Sequence, residues 1–120
     1  MKVSVDTLDA CTVIKLSGQI SIGEGVGDLR VALARLSGGT APRVVVDLEG
    51  VTFVDSAGLG ELVAAYHRTW DRGGRLCVAR PRAKVRDLIR LTRLDELIPV
   101  HDELDDALRD AAGDHSSSSV

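Results

Sequence analysis

The chain has 120 residues, 44% hydrophobic and 28% charged, with a net charge of −3, the size and balance of one globular domain that buries a core without disulfides or metals. The negative balance gives no overall basic field for nucleic acid or anionic lipid, and one Phe, one Tyr and one Trp are too few rings for a base-stacking surface. Met1-Lys2-Val3-Ser4-Val5-Asp6 is too polar for a signal peptide and no apolar run approaches a membrane span, so a cytoplasmic protein without direct nucleic-acid or membrane contact is expected.

Val3 to Leu8 alternates apolar and polar residues, the pattern of a half-buried strand. After the short turn Asp9-Ala10, Thr12 to Ile20 forms a second strand with Ile14, Leu16 and Ile20 on one side, and so short a connection predicts an antiparallel hairpin. Gly23, Gly25 and Gly27 mark a loop. Val26, Leu29, Leu33 and Leu36 then recur at helical spacing up to the Ser37–Pro42 break. Arg43 to Leu48, centred on Val44-Val45-Val46, is continuously apolar enough to be covered on both faces. Val51-Thr52-Phe53-Val54 is a short apolar lead-in to Asp55-Ser56-Ala57-Gly58. The next helix carries Leu59, Leu62, Val63, Tyr66 and Trp70 on its inner side and stops at Gly73-Gly74.

Leu76 to Ala79 is another strand. A third helix spans Ala83 to Leu91 with Val85, Leu88 and Ile89 inward. Leu97-Ile98-Pro99-Val100 reads as a last edge strand, where proline is tolerated. A fourth helix begins near Asp102 and ends at Gly113, its acidic start suited to the positive end of the helix dipole. Residues 1–113 are expected to be one domain, and 114–120 a disordered Ser-rich tail. The order β-β-α-β-α-β-α-β-α predicts an α/β fold: a mixed, mainly parallel sheet of about five strands with an N-terminal hairpin and about four helices.

Two other features carry little function on their own. The stretch Arg80 to Arg93 holds five Arg and one Lys interleaved with apolar residues and Asp87, and reads as the solvated face of a helix. Cys11 and Cys77 lie far apart in expected strands without CxxC spacing, and read as small buried hydrophobes.

The informative segment is Val54-Asp55-Ser56-Ala57-Gly58-Leu59-Gly60. A buried strand delivers Asp and Ser to a helix start, where either can accept hydrogen bonds from free N–H groups as a cap. The small residues Ala57, Gly58 and Gly60 are expected to leave the surface around Ser56 shallow, open to the backbone of another protein. The position also lies at the C-terminal end of a central strand, where open α/β sheets place their sites.

This motif, following Val44-Val45-Val46-Asp47-Leu48, resembles the signature of STAS-domain anti-sigma factor antagonists (anti-anti-sigma factors). Ile14-Lys15-Leu16-Ser17-Gly18-Gln19-Ile20 resembles the family's second strand and its Gly-x-Ile/Leu turn. Gly73-Gly74-Arg75-Leu76 is similar to its Gly-Gly lead into the next strand, and Val85 to Asp95 to the stretch before the last strand. The resemblance spans about residues 3 to 112. It implies a STAS fold, no enzymatic activity and no cofactor, and Ser56 as a phosphoacceptor. It implies a serine-kinase anti-sigma factor that binds the unphosphorylated protein, releasing a sigma factor for transcription, and that inactivates it with ATP; a PP2C-type phosphatase reverses the modification. The implied contact surface includes Ser21, Ile22, Gly23, Asp55, Ser56, Ala57 and Gly58, on a monomer or weak dimer. The chain departs from the family at Ser21, which stands where relatives carry Asp beside the phosphoacceptor. The alternative within the same fold is a STAS subunit of a larger assembly, stressosome-like or part of a lipid-transport ABC complex.

Other chemistry fits less well. Gly23-Glu24-Gly25-Val26-Gly27 opens a helix but lacks both G-x-G-x-x-G and Gly-Lys-Ser/Thr. Ser56 is not in G-x-S-x-G and has no companion base in His67 or His101. His67, His101 and His115 lack metal-ligand spacing. Asp102, Glu103, Asp105 and Asp106 read as a solvated helix start.

Overall fold

The computed structural model describes residues 2–21, 25–36 and 41–113. Five strands lie in the order β1-β2-β3-β4-β5: β1 Lys2–Leu8, β2 Cys11–Ile20, β3 Arg43–Val54, β4 Arg75–Ala79 and β5 Val100–His101. β1 is antiparallel to β2, and the remaining pairs are parallel. The helices are α1 Val26–Leu36, α2 Ser56–Asp71, α3 Ala83–Leu91 and α4 Leu104–Ala111. The expected element order and mixed sheet are what the chain forms.

The hairpin turn is tight because Asp9 and Ala10 both take positive φ, 50° and 66°, the twist that joins two strands through two residues. Along β3 the side chains alternate between two cores. Val44, Val46 and Leu48 face the larger one, with Leu29 and Leu33 of α1, Leu59 and Leu62 of α2 and Val85 and Ile89 of α3. Val45 faces the smaller one, with Val13, Cys11, Cys77, Ala79 and Ala107, Leu108 and Ala111 of α4. The sheet is therefore covered by α1, α2 and α3 on one side and by α4 on the other, and this is why β3 reads as an unbroken apolar run. Both cysteines are free and buried.

Three elements differ from their sequence reading. Val51 to Val54 is a continuation of β3, not a separate lead-in: Gly50, Val51, Phe53 and Val54 pair with Ser17, Gly18, Gln19 and Ile20 across two register shifts. The break legible at Glu49-Gly50 is thus a local irregularity. Gly50 belongs there because a Cβ would meet Ser17 Cβ at 2.7 Å and the Leu16 carbonyl oxygen at 2.9 Å. The expected strand at Leu97–Val100 is mostly irregular: it follows a 3-10 turn, Leu94–Glu96, Ile98 is buried, and pairing begins only at Val100. Finally, the fully buried face of α2 is Leu59, Leu62, Ala65 and Thr69; Val63 and Tyr66 pack against the larger core as expected but only half-buried, and Trp70 is half-buried too. The Tyr66 and Trp70 rings stack, with centroids 6.3 Å apart, and line a shallow cavity with Arg75, Leu76 and Pro99.

The basic stretch is also more structural than a solvated helix face. Arg80 ends β4 with φ 53° and its guanidinium pairs with Asp47 Oδ2 at 2.5 Å and Glu49 Oε2 at 2.9 Å. Asp47 is the buried carboxylate of β3, and a charge so placed needs such a partner. Arg82 donates to the Glu49 carbonyl at 2.7 Å, and Arg86 pairs with Asp102 at 2.6 Å. Residues 114–120, read as a tail, lie outside the described residues.

Candidate functional site

β3 outruns β4. The β4 pairing stops at Asp47, and β3 continues seven residues further to Val54 beside β2 alone, roughly 20 Å at strand rise. Asp55 leaves the strand there, its N–H donating to the Ile20 carbonyl at 3.0 Å. The residue is extended (φ −98°, ψ −177°) and its Oδ1 accepts from the Gly58 N–H at 3.0 Å. Asp55 is therefore the N-cap, so of the two caps the sequence offers the structure uses Asp55. Ser56, first residue of α2, is left exposed. No acidic side chain stands in the first turn of α2, so within the helix's own start the positive end of the dipole is met by the Asp55 cap.

The residues around Ser56 divide inward and outward. Gly58 is buried, and a Cβ on it would meet Ile20 Cγ2 at 2.8 Å and Val54 Cγ1 at 2.9 Å. This corrects the reading of Gly58 as part of a shallow outer surface: its missing side chain lets α2 sit against the ends of β2 and β3. Ala57 is half-buried against the larger core. Gly60 is exposed and a Cβ there would meet nothing within 4 Å. Phe53 is 49% exposed, an apolar neighbour two residues before the cap. Ser21 is half-buried and bridges to Gly25. Ile22 and Gly23 lie outside the described residues. Arg30 of α1 and Glu61 of α2 pair at 2.9 Å.

A second polar group lies on the α4 side of the sheet, and sequence spacing gave no sign of it. Asp110 of α4 accepts from Arg75 through Oδ1 and faces His101 Nε2 through Oδ2 at 2.8 Å. Arg75 Nε also donates to the Asp110 carbonyl at 2.9 Å, and Arg43 Nη1 donates to the carbonyls of Ala111 and Gly113. Burial works to raise the Asp110 pKa, but hydrogen bonds from His101 and Arg75 outweigh it, and the carboxyl sits below its ordinary value. The Cys77 thiol is pushed up to about 12, by burial first and then by the Asp110 charge. Cys77, His101 and Asp110 bring ligand atoms within 4.8 Å of one another, a grouping able to hold a metal ion. Both Asp110 oxygens are already engaged, by Arg75 and His101. The group acts as a tie fastening α4 to β4 and β5. It is also no hydrolytic relay for Ser56: His101 pairs with Ala79, level with Asp47 of β3, far from the strand end that carries Ser56.

Among the described residues no helix is long and apolar enough to cross a membrane. A family model described as "Mlab, STAS domain" matches residues 3–99. An anti-sigma factor antagonist from Mycobacterium paratuberculosis is 31% identical, with TM-score 0.80, over 93% of this chain and 94% of its own. A putative anti-sigma factor antagonist from Thermotoga maritima superposes with TM-score 0.83 at 19% identity, over 92% of this chain and 95% of its own. The Bacillus cell fate determinant SpoIIAA in its phosphorylated form does so with TM-score 0.68 at 17% identity, over 90% and 97%. With a five-stranded mixed sheet, an exposed serine directly after the Asp55 cap of α2 and a family match across most of its length, this chain belongs to the STAS domain family.

Proposed function

We propose that this protein is an anti-sigma factor antagonist, a non-enzymatic binding switch whose state is set by phosphorylation of Ser56. In this reading the unphosphorylated protein binds a serine-kinase anti-sigma factor and so releases a sigma factor. The kinase transfers the γ-phosphoryl group of ATP to Ser56 Oγ, with loss of the hydroxyl proton and departure of ADP, and a PP2C-type phosphatase removes it. The observation that carries the reading is the exposed hydroxyl of Ser56 on the first residue of α2, directly after the Asp55 cap. It is supported by the 31% identical relative described as an anti-sigma factor antagonist.

The switch follows from charge. A phosphate adds about −1.5 to −2 charges and several strong acceptors at one point. At a helix N-terminus the dipole and the free N–H groups favour an anion, so the fold itself changes little. A partner docked over Ser56 must instead desolvate that anion beside the Asp55 carboxylate, which is costly. A loss of about 3 to 4 kcal/mol lowers affinity several-hundred-fold. Ser21, Ile22, Gly23, Asp55 and Ala57 complete the proposed contact surface.

Binding to a serine-kinase anti-sigma factor tests this. Ser56→Ala should bind like the wild type and Ser56→Glu should lose several-hundred-fold; equal binding by both removes the switch. Incubation with kinase and ATP followed by mass spectrometry should place the phosphate on Ser56, and a phosphate on Ser21 or the Ser116–Ser119 run would move the site. The Mlab description of the family model favours a second reading, a STAS subunit of a larger assembly such as a lipid-transport complex. That reading predicts stable capture of assembly subunits and no exchange with an anti-sigma factor.

A further inference from the structure

Strand β1 forms a long open edge of the sheet. β1 pairs with β2 on one side only, along all of Lys2–Leu8, and every residue but Val3 is exposed. The opposite edge, β5, is two residues long. An open edge presents unpaired N–H and C=O groups to any strand that can align with it.

The side chains of β1 restrict what can align. Alternation places Lys2, Ser4 and Asp6 on one face and Val3 and Val5 on the other. Val3 and Val5 lie opposite Leu16 and Ile14 of the larger core, on the side of α1 and α2. If two copies meet antiparallel along this edge, the two-fold axis is perpendicular to the sheet and residues of like face must oppose one another. Centred on Ser4, Lys2 opposes Asp6 of the second copy and Val3 opposes Val5, each contact occurring twice. Centred on Val5, Lys2 opposes Leu8 and Asp6 opposes Ser4. Centred on Asp6, two carboxylates oppose each other. Among these registers, the one centred on Ser4 matches charge with opposite charge and valine with valine. A lysine on an edge strand discourages pairing with an arbitrary strand, but here Asp6 supplies its complement when the incoming strand is a second β1.

We propose that the chain self-associates through β1, as an antiparallel β1–β1 pair centred on Ser4 with reciprocal Lys2–Asp6 and Val3–Val5 contacts. Two five-stranded sheets then become one continuous sheet. The helical layers of both copies lie on the same side, and the two Ser56 ends point in opposite directions, both accessible. The contact is smaller than a standard stable interface, so the dimer is weak and depends on concentration.

Sedimentation equilibrium of the full chain at low salt, from about 10 μM to about 1 mM, tests this. The wild type should pass from monomer to dimer. Lys2→Glu and Asp6→Lys should each weaken self-association by about tenfold or more, because each places like charges opposite one another. An equimolar mixture of the two variants should recover dimer at the wild-type level, since the altered Glu and Lys complement each other across the pair. These side chains are exposed, so circular dichroism should show both variants folded. A wild type that stays monomeric throughout, single variants that dimerise unchanged, or a mixture no better than either variant alone would overturn the proposal.

Discussion

The two polar corners of this molecule are built in opposite ways. At Ser56 the working parts are neighbours in sequence: a strand end, the cap Asp55, the serine and two glycines, arranged mainly by backbone geometry and small side chains. At Asp110 they come from residues far apart in the chain, Arg43, Arg75, Cys77, His101 and Asp110, held by ion pairs and long side chains. The first corner leaves an oxygen exposed for something outside the molecule. The second spends its hydrogen-bonding capacity internally, joining α4 to the sheet. Mutations at the second should therefore read out in stability. Those at the first should separate stability from binding.

The largest effect is expected from Asp110→Ala. The Arg75–Asp110 pair is mostly buried, with side chains 13% and 23% exposed, and removing the carboxylate leaves the Arg75 charge without its ion partner, only its Nε still bonded to the residue 110 carbonyl. Breaking such a pair costs about 3 kcal/mol, which urea unfolding would measure. Because α4 covers Cys77, the variant should also expose the thiol, and labelling by a thiol reagent should be faster than in the wild type. Wild-type stability together with unchanged labelling would mean that apolar packing of Ala107, Leu108 and Ala111 holds α4 without the tie.

The contrast also explains what the sequence made legible. The element order, the doubly covered β3 and the Ser56 corner follow from periodicity and local motifs, signals that survive when the chain is read a few residues at a time. The Asp110 tie does not, because no spacing links positions 75, 101 and 110 until β4 and β5 pair. Arg80 was hidden for the same reason: grouped with the basic residues that follow it, it read as helix surface, while its partner Asp47 sits inside the most apolar run of the chain. The misreading of Gly58 has another cause. A glycine by itself does not tell whether its empty side faces solvent or a neighbour, and only the approach of Ile20 and Val54 decides it.

Gly58→Ala is expected to come next in size. The added methyl meets Ile20 and Val54 side chains below 3.0 Å, and overpacking of this kind costs about 2 kcal/mol. A thermal melt gives the loss directly. If the melt is unchanged, α2 can slide on the strand ends, and the position of Ser56 is less firmly fixed than the cap geometry implies.

A smaller effect is expected from pH. The folded Asp110 carboxyl lies below its ordinary value, so its contribution is fully present above the unfolded value near about 3.9 and is lost as the pH falls through the folded value. Urea unfolding should show stability dropping across that acid window, and Asp110→Asn should show a shallower drop. Equal slopes would place the acid sensitivity elsewhere in the molecule.

The smallest effect is the sharpest probe of the Ser56 corner. Gly60 lies in the same helix as Gly58, yet a Cβ there meets nothing within 4 Å. Gly60→Ala should therefore stabilise the protein by about 0.5 to 1 kcal/mol, the ordinary gain from replacing a helical glycine, seen as a higher melting temperature. The same methyl projects into solvent one turn beyond Ser56. If the partner packs closely over this end of α2, binding should weaken while stability rises, a combination that damage to the fold cannot produce. If binding is unchanged, the contact surface turns from Ser56 toward Phe53 and Ser21 and does not extend along α2.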